Sequence, residues 1–408
     1  MQTASGNNLS RVKVTNQSAI RQMIYHDGPI SRIEISEKLS LTLPTITTTI
    51  NFLLSKGLVK EVENTKASGK TLGRKASLID VNDLRYFIGI EMRGALRRLC
   101  ITDYRGNLIG TAMDNTAFHD YDENITATCE LVKKLLRDSK IPKSKIAGIG
   151  LCLPGLVDRK KGILTVHPGY GWSNKNVGSD VSRLLNYNGP VTIENNACAR
   201  AYGAYLFNHK LLDDYQSFAY FFVSSGIACP FMNNYIRFNE SIVGQGEVGH
   251  MVMEPNGPLC DCGNQGCLEV FSSEKAIISM CAEEMRQGKA DLLRNICSNS
   301  NAPAIDEILR AQAEGDQSVN RIVDNAIFHL GIAIANIDNF VKPECILIEC
   351  NLFQNEKNKT QLLDTIYRNL YTATNIDTNF IFVSPNEYSG AEGAAAVAVQ
   401  NDLKTYIE

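Results

Sequence analysis

Gly246-Glu247-Val248-Gly249-His250 and, ten positions beyond His250, Cys260-Asp261-Cys262-Gly263-Asn264-Gln265-Gly266-Cys267-Leu268-Glu269 are the stretch that decides the reading of this chain. One imidazole and three thiolates make a complete tetrahedral donor set for zinc, with no position left for a reacting water. The expectation is therefore a structural Zn2+ held by His250, Cys260, Cys262 and Cys267. Gly263 and Gly266 let the backbone turn tightly between ligands. Free cysteines are often simply buried, but close Cys-x-Cys…Cys spacing among glycines favours a metal over packing.

Working outward, 408 residues are too many for one ordinary domain. A hydrophobic content of 44% with 21% charged residues fits a globular protein with a sizeable core. No apolar run is long enough to span a bilayer, and no charged-then-apolar leader opens the chain. A cytoplasmic protein with no membrane partner is expected. Its twelve scattered cysteines then belong to a reducing compartment rather than to disulfides. Charge is uneven. Residues 1–80 carry eleven Lys and Arg against six Asp and Glu, and the remainder thirty against thirty-eight. A basic first segment on an acidic body points to nucleic acid meeting the first segment only.

That segment reads as a winged helix-turn-helix. The first fifteen residues are polar and expected to be disordered or loosely helical. From Asn16, Ile20, Met23 and Ile24 recur on one helical face, and Gly28-Pro29 breaks the pattern. Ser31 with Glu34 forms a capping box for a second helix through Ile35 to Leu39. Ser40-Leu41-Thr42 turns into a third helix from Leu43 to Lys56, burying Ile46, Ile50, Leu53 and Leu54. Leu58–Val62 and Ala76–Val81 read as strands around a basic loop containing Lys66, Lys70, Arg74 and Lys75. The third helix would enter the major groove of operator DNA. Candidate DNA contacts are Ser31, Arg32, Thr42, Pro44, Thr45, Thr47, Thr48 and Asn51, with Arg74 and Lys75 from the wing. A threonine run is poor helix material, and DNA contact gives it a reason.

The Glu-x-x-His and Cys-x-Cys-Gly-x-x-Gly-Cys-x-Glu pattern resembles the ROK family of bacterial sugar-responsive repressors and sugar kinases. Ile30-Ser31-Arg32-x-Glu34-Ile35-Ser36, Leu41-x-x-Pro44-Thr45-Ile46-Thr47, and Lys56-Gly57-Leu58-Val59 are similar to the DNA-binding domain of its repressors, which its kinases lack. From Tyr86 onward strands and helices alternate: Phe87–Glu91, Arg97–Thr102, Asn107–Thr111, a helix from Asn124 to Ser139, then Ile146–Cys152, Val191–Glu194, Phe218–Val223 and Cys345–Glu349. Ser318–Phe340 reads as a long amphipathic helix, and Ala391–Val399 as an alanine-rich one packed back on the first lobe. The resemblance implies an α/β chain: a winged helix-turn-helix over residues 1–80, then a two-lobed actin-like sugar-kinase fold. The first lobe would take residues 81–200 with 388–408, and the second, carrying the zinc, residues 201–387.

The same resemblance implies that kinase chemistry is gone. The first phosphate loop, Asp-x-Gly-Gly-Thr-Lys in the family, is here Glu91-Met92-Arg93-Gly94-Ala95-Leu96. The second is Ser224-Ser225-Gly226-Ile227-Ala228-Cys229-Pro230, and Pro230 has no N–H to offer a phosphate. The third glycine cluster has become Ile348-Glu349-Cys350-Asn351, and the base of the Glu-Asn-Asp-Ala segment has become Asn196, an amide that accepts no proton at neutral pH. The sugar-holding positions survive as Asn195, Glu247, His250 and Glu269, with Asn196 beside them; Gly169 of His167–Trp172 departs from the family's asparagine. The lone Trp172 is expected as a core or cleft aromatic. The expected function is a sugar-responsive repressor, not an enzyme, binding operator DNA and a sugar or sugar phosphate as a homodimer or dimer of dimers. The alternatives are an active sugar kinase, or a DNA-binding regulator controlled by a protein partner.

Overall fold

The structure, a computed structural model, describes residues 9–63, 77–93, 95–167, 169–233, 236–237, 243–297, 302–371 and 378–407. It opens with α1 (Leu9–Asp27), β1 (Ile30–Ser31), α2 (Arg32–Leu39), α3 (Leu43–Ser55), β2 (Val59–Val62) and β3 (Leu78–Val81). The capping box of α2 is formed: Ser31 Oγ accepts from Glu34 N at 3.2 Å, and Glu34 Oε2 accepts from Ser31 N at 2.9 Å. Ile20, Ile24, Ile35, Ile46, Ile50 and Leu53 make the small core of this module. Leu54 is half-buried.

Two features depart from expectation. The first helix begins at Leu9 rather than near Asn16, because Leu9 to Thr15 contains neither glycine nor proline to stop it. Ile30–Ser31 also forms a short strand against β3, with Ile30 opposite Ile79, so the hairpin becomes a three-stranded sheet in the order β1-β3-β2.

The body continues with β4 (Tyr86–Arg93), β5 (Leu96–Thr102), β6 (Leu108–Asp114), α4 (Tyr121–Asp138), β7 (Ile146–Leu153), β8 (Leu156–Asp158), β9 (Ile163–His167), β10 (Trp172–Lys175), α5 (Val177–Leu185), β11 (Val191–Asn195) and α6 (Asn196–Phe207). There follow β12 (Ser217–Val223), β13 (Ile227–Ala228), β14 (Phe231–Asn233), β15 (Ile236–Arg237), α7 (Leu268–Ser272), α8 (Glu274–Arg286), α9 (Asp291–Ile296), α10 (Ile305–Glu314) and α11 (Gln317–Val341). The last elements are β16 (Cys345–Glu349), α12 (Glu356–Asn369), β17 (Asn379–Val383) and α13 (Ser389–Lys404).

Two mixed sheets build the two lobes. The first has order β11-β7-β4-β5-β6, and the second β15-β14-β12-β16-β17 with β13 on β12. In both, the central parallel strands are near-continuous apolar runs, as strands covered on both faces must be. α6 and α13 lie within a single hydrophobic cluster that includes Phe87 of the first sheet and Phe218, Tyr220 and Leu347 of the second. The composition of α13 follows from its closeness to the sheet. A Cβ on Gly89 of β4 would fall 1.8 Å from Ala391 O, and one on Gly150 of β7 1.8 Å from Ala394 O. Only glycine on the strand and small residues on the helix allow that approach. α6 runs unbroken through positions 200 and 201, where the sequence suggested a lobe boundary.

Candidate functional site

The cysteine loop folds as its glycines require. Gly263 and Gly266 have φ of 94° and 70°, and a Cβ on Gly266 would collide with Glu254 O at 1.6 Å. Cys260 N donates to Asn264 O at 2.8 Å, closing the turn. The donor atoms of His250, Cys260, Cys262 and Cys267 consequently all lie within 4.8 Å of one another. Cys260 Sγ is 3.7 Å from His250 Nδ1, and Cys262 Sγ is 3.7 Å from Cys267 Sγ. A tetrahedral ion with metal–sulfur bonds of about 2.3 Å sets sulfur–sulfur edges of about 3.8 Å, so the cluster has the dimensions of a zinc site. Burial raises the Cys260 thiol and pushes the Cys267 thiol up to about 12, whereas the Asn264 backbone N–H lowers Cys262. A bound dication would supply the charge that ionises all three.

With Nδ1 turned to the thiols, His250 presents Nε2 to Glu269 Oε2 at 3.9 Å. Glu269 stands on α7 directly after the last cysteine, and burial raises its carboxyl despite the opposing charge of His250 and Lys275. Gly226 and Gly249 pass close beneath it: a Cβ would lie 3.7 Å and 3.1 Å from its oxygens. Glu247, half-buried, precedes the short helical turn Val248–His250. His250, Glu269 and Gly226 are thus brought together.

Asn195 and Asn196 stand on another wall, where β11 runs into α6. Asn195 Oδ1 caps α6 by accepting from Ala197 N at 2.9 Å, and its Nδ2 donates to Gly155 O at 3.1 Å. Asn196, the first residue of α6, is half-buried, with Oδ1 3.0 Å from Ala197 N. The walls meet where Leu156, beside Gly155, faces Gly244; a Cβ there would be 3.3 Å from Leu156 Cδ2. His167 and Trp172 pair across the β9–β10 hairpin, their ring centroids 5.2 Å apart. Trp172 is buried and donates from Nε1 to His119 O at 2.8 Å, so it is a core aromatic.

The segments at the positions of the family's phosphate loops contain charged side chains. Arg93 Nε donates to the wholly buried Glu91 Oε1 at 2.8 Å, and Arg93 donates from a terminal nitrogen to Ser224 Oγ at 3.0 Å. Arg200 on α6 donates to the same Glu91 oxygen at 2.9 Å.

In the N-terminal module, α3 buries Ile46, Ile50 and Leu53 and leaves Thr42, Pro44, Thr48 and Asn51 exposed, with Thr45 and Thr47 half-buried. The Thr42 and Thr45 hydroxyls are 2.9 Å apart. The Ser31 hydroxyl serves the cap, and Arg32 reaches Glu61 at 2.8 Å and Ser77 at 3.2 Å in the hairpin. Arg74 and Lys75 lie outside the described residues.

Sequence reasoning missed how this module is fastened to the body. Buried Arg21 of α1 pairs with the Asp402 carboxylate of α13, which also accepts from Tyr104 OH and, at 2.9 Å, from Arg85. Tyr25 OH donates to Leu206 O at 2.9 Å, and Tyr205 OH is 2.7 Å from His26 Nε2. α6 therefore touches α1 at its C-terminal end and carries Asn195 and Asn196 at its N-terminal end, about 18 Å away for twelve residues. An acidic residue near the end of an alanine-rich helix is the only signal the sequence offers for this joint.

Comparison with known proteins gives a consistent result. The model described as "ROK family" matches residues 87–401. The xylose repressor of Bacillus subtilis strain 168 is 28% identical over 352 residues, 84% of each chain. The DNA-binding transcriptional dual regulator NagC of Escherichia coli K12 is 25% identical over 356 residues, 86% of this chain and 84% of that protein. Among solved structures, a ROK family transcriptional regulator described as a homologue of the E. coli MLC protein superposes with a TM-score of 0.82 at 22% identity, covering 96% of this chain and 97% of that one. A ROK family glucokinase from Streptomyces griseus gives 0.65 at 19% identity, covering 77% of this chain and 99% of its own.

Proposed function

The chain belongs to the ROK family, and from that membership we propose that it is a cytoplasmic, sugar-responsive transcriptional repressor whose kinase chemistry is lost. Acting as a homodimer, it lays α3 of each module in the major groove of a partly symmetric operator. Thr42, Pro44, Thr45, Thr47, Thr48 and Asn51 face the bases and backbone. Ser31, Arg32, Arg74 and Lys75 contact flanking phosphates or the minor groove. Structural Zn2+ on His250, Cys260, Cys262 and Cys267 fixes the cleft wall that carries His250 and Glu269. Asn195, Asn196, Glu247, His250 and Glu269 hold the hydroxyls of a monosaccharide or its phosphate, since carboxylates and amides each orient more than one hydroxyl.

The observation that carries this reading is α6. One helix begins at the candidate sugar residues and ends against Tyr25 and His26 of the DNA-binding module. A sugar that binds better to one setting of α6 shifts the module between two settings, and by linkage DNA shifts the sugar's affinity equally. The test is capture and sequencing of genomic fragments by the zinc-loaded protein, followed by titration of the bound fragments with D-xylose, N-acetylglucosamine and their phosphates. Discrete sites released by one of these sugars are expected. Diffuse, salt-sensitive binding indifferent to all of them would refute the proposal.

A further inference from the structure

The residues that replace the phosphate loops form one connected set, and that set crosses from lobe to lobe. On the first-sheet side stand Glu91 and Arg93 of β4, Arg200 of α6 and Ser389 of α13; on the second-sheet side stand Tyr220 and Phe222 of β12, Ser224 just beyond it, and Glu349 of β16. Arg93 bonds to Ser224 at 3.0 Å, Arg200 Nε lies 3.3 Å from Glu349 Oε2, and Ser389 Oγ donates to Glu349 Oε1 at 3.2 Å. Each of these three contacts joins the two lobes. Tyr220 OH fixes Glu349 from within the second lobe at 2.6 Å. Both guanidinium groups lie over the Phe222 ring, at 4.3 Å for Arg200 and 5.7 Å for Arg93, a cation–π arrangement that strengthens with burial. Glu91, Arg200 and Glu349 are nearly or wholly buried, and Glu91 shares one oxygen between the two arginines.

We propose that this set is a built-in clasp which holds the two lobes at a fixed closure, in the space where the kinase pattern would hold nucleotide phosphates. The charges balance internally as two arginines and two glutamates. The guanidinium groups are therefore already paired, and an entering phosphate would find Glu274, itself 3.5 Å from Ser224 Oγ and accepting from Asn351 at 2.7 Å, as a further carboxylate. Buried ion pairs add little net stability compared with apolar packing but can select one arrangement over its neighbours. Here the arrangement selected is the angle between lobes. The same substitutions that remove phosphate binding supply the clasp: Arg93 stands where the pattern has glycine, Glu91 where it has aspartate, and Glu349 in the third glycine cluster. Closure then needs no nucleotide.

The test uses the full-length, zinc-loaded protein without sugar or DNA, so its outcome is separate from that of the repressor proposal. Hydrogen exchange is followed by mass spectrometry in wild type, Arg93→Ala, Ser224→Ala and the double variant. Both positions are partly exposed, so folding is retained and is checked by circular dichroism. A hydrogen bond to a charged group is strong enough that Arg93→Ala should speed exchange by about tenfold. The increase should appear at Gly155–Asp158 and Val243–Glu247, which meet at Leu156 and Gly244, a separate point of the lobe boundary, as well as around Arg93. Ser224→Ala should move the same remote segments by a smaller factor, and the double variant should match Arg93→Ala within about twofold, as one shared interaction requires. Changes confined to the segments around residues 93 and 224, or no change, would overturn the proposal.

Discussion

Asp402→Asn should free the DNA-binding module from the body without unfolding either. The substitution keeps the shape of the side chain and removes the charge that Arg21, Arg85 and Tyr104 converge upon. Arg21 is only 2% exposed, so its guanidinium is left buried with no carboxylate. Breaking a buried pair from one side costs about 3–5 kcal/mol. Arg21 also donates to the Thr405 carbonyl at 3.0 Å, which the variant retains, so the lower figure of about 3 kcal/mol applies. At 1.36 kcal/mol per decade that is roughly a 150-fold rise in the population of undocked module. Amide exchange of α1, read peptide by peptide, should accelerate by a comparable factor while the strands of the first sheet keep their protection. The same variant should still bind DNA through α3 but respond less to sugar. A rise of less than about fivefold in α1 would refute the view that Asp402 anchors the module, because even 1 kcal/mol predicts that much.

Three other outcomes follow from the same geometry. Cys262→Ser should lower bound zinc well below one equivalent per chain by elemental analysis and loosen residues 250–267 to proteolysis, since the exposed Cys262 completes the donor set and metal binding is folding energy for such a loop. Asn51→Ala and Thr48→Ala, both exposed on α3, should each weaken specific operator binding by about 1–3 kcal/mol in fluorescence anisotropy and leave binding to unrelated DNA nearly unchanged; equal weakening on both DNAs would place these residues on phosphate only. Burial alone would raise the Glu91 carboxyl, but Arg200 and Arg93 outweigh it and hold it near 2, below its unfolded value of 4.5. Its stabilisation is therefore present above pH 4.5 and lost as pH falls toward 2. The urea midpoint of wild type should exceed that of Glu91→Gln at pH 7 and approach it at acid pH, and a gap independent of pH would count against the paired Glu91.

What the sequence revealed, and what it hid, divides along physical lines. Periodic apolar residues gave the three N-terminal helices, and uninterrupted apolar runs gave the central strands, because burial leaves a local imprint on composition. The His250–Cys267 cluster was legible because its ligands lie close together in the chain and its glycines have few other uses. Arg93 was legible only as a lost glycine. Its acceptor Ser224 lies 131 residues away, and polar pairing across such a distance leaves no periodic mark. The same is true of Arg21 and Asp402, and β1 is too short, at two residues, to carry any pattern. Asn195 was read for its chemistry toward a ligand, yet its carbonyl already caps α6, a duty that strand-to-helix junctions commonly assign to asparagine.

The place of α13 in the fold sets an order of events during synthesis. The glycine-floored trough on β4 and β7 is filled by α13, and the carboxylate that receives Arg21 is on the same helix, 381 positions after its partner. At about 5–20 residues per second, a ribosome needs roughly 20–80 s to travel from one to the other. Through that interval the N-terminal helices can fold, and α6 becomes available to Tyr25 and His26 once residue 207 is made, but Arg21 has no carboxylate to meet and the first sheet lies open. A nascent or prematurely ended chain therefore carries a reading head held by α6 alone, and only a chain that has delivered α13 adds the Asp402 anchor that locks it to its governor.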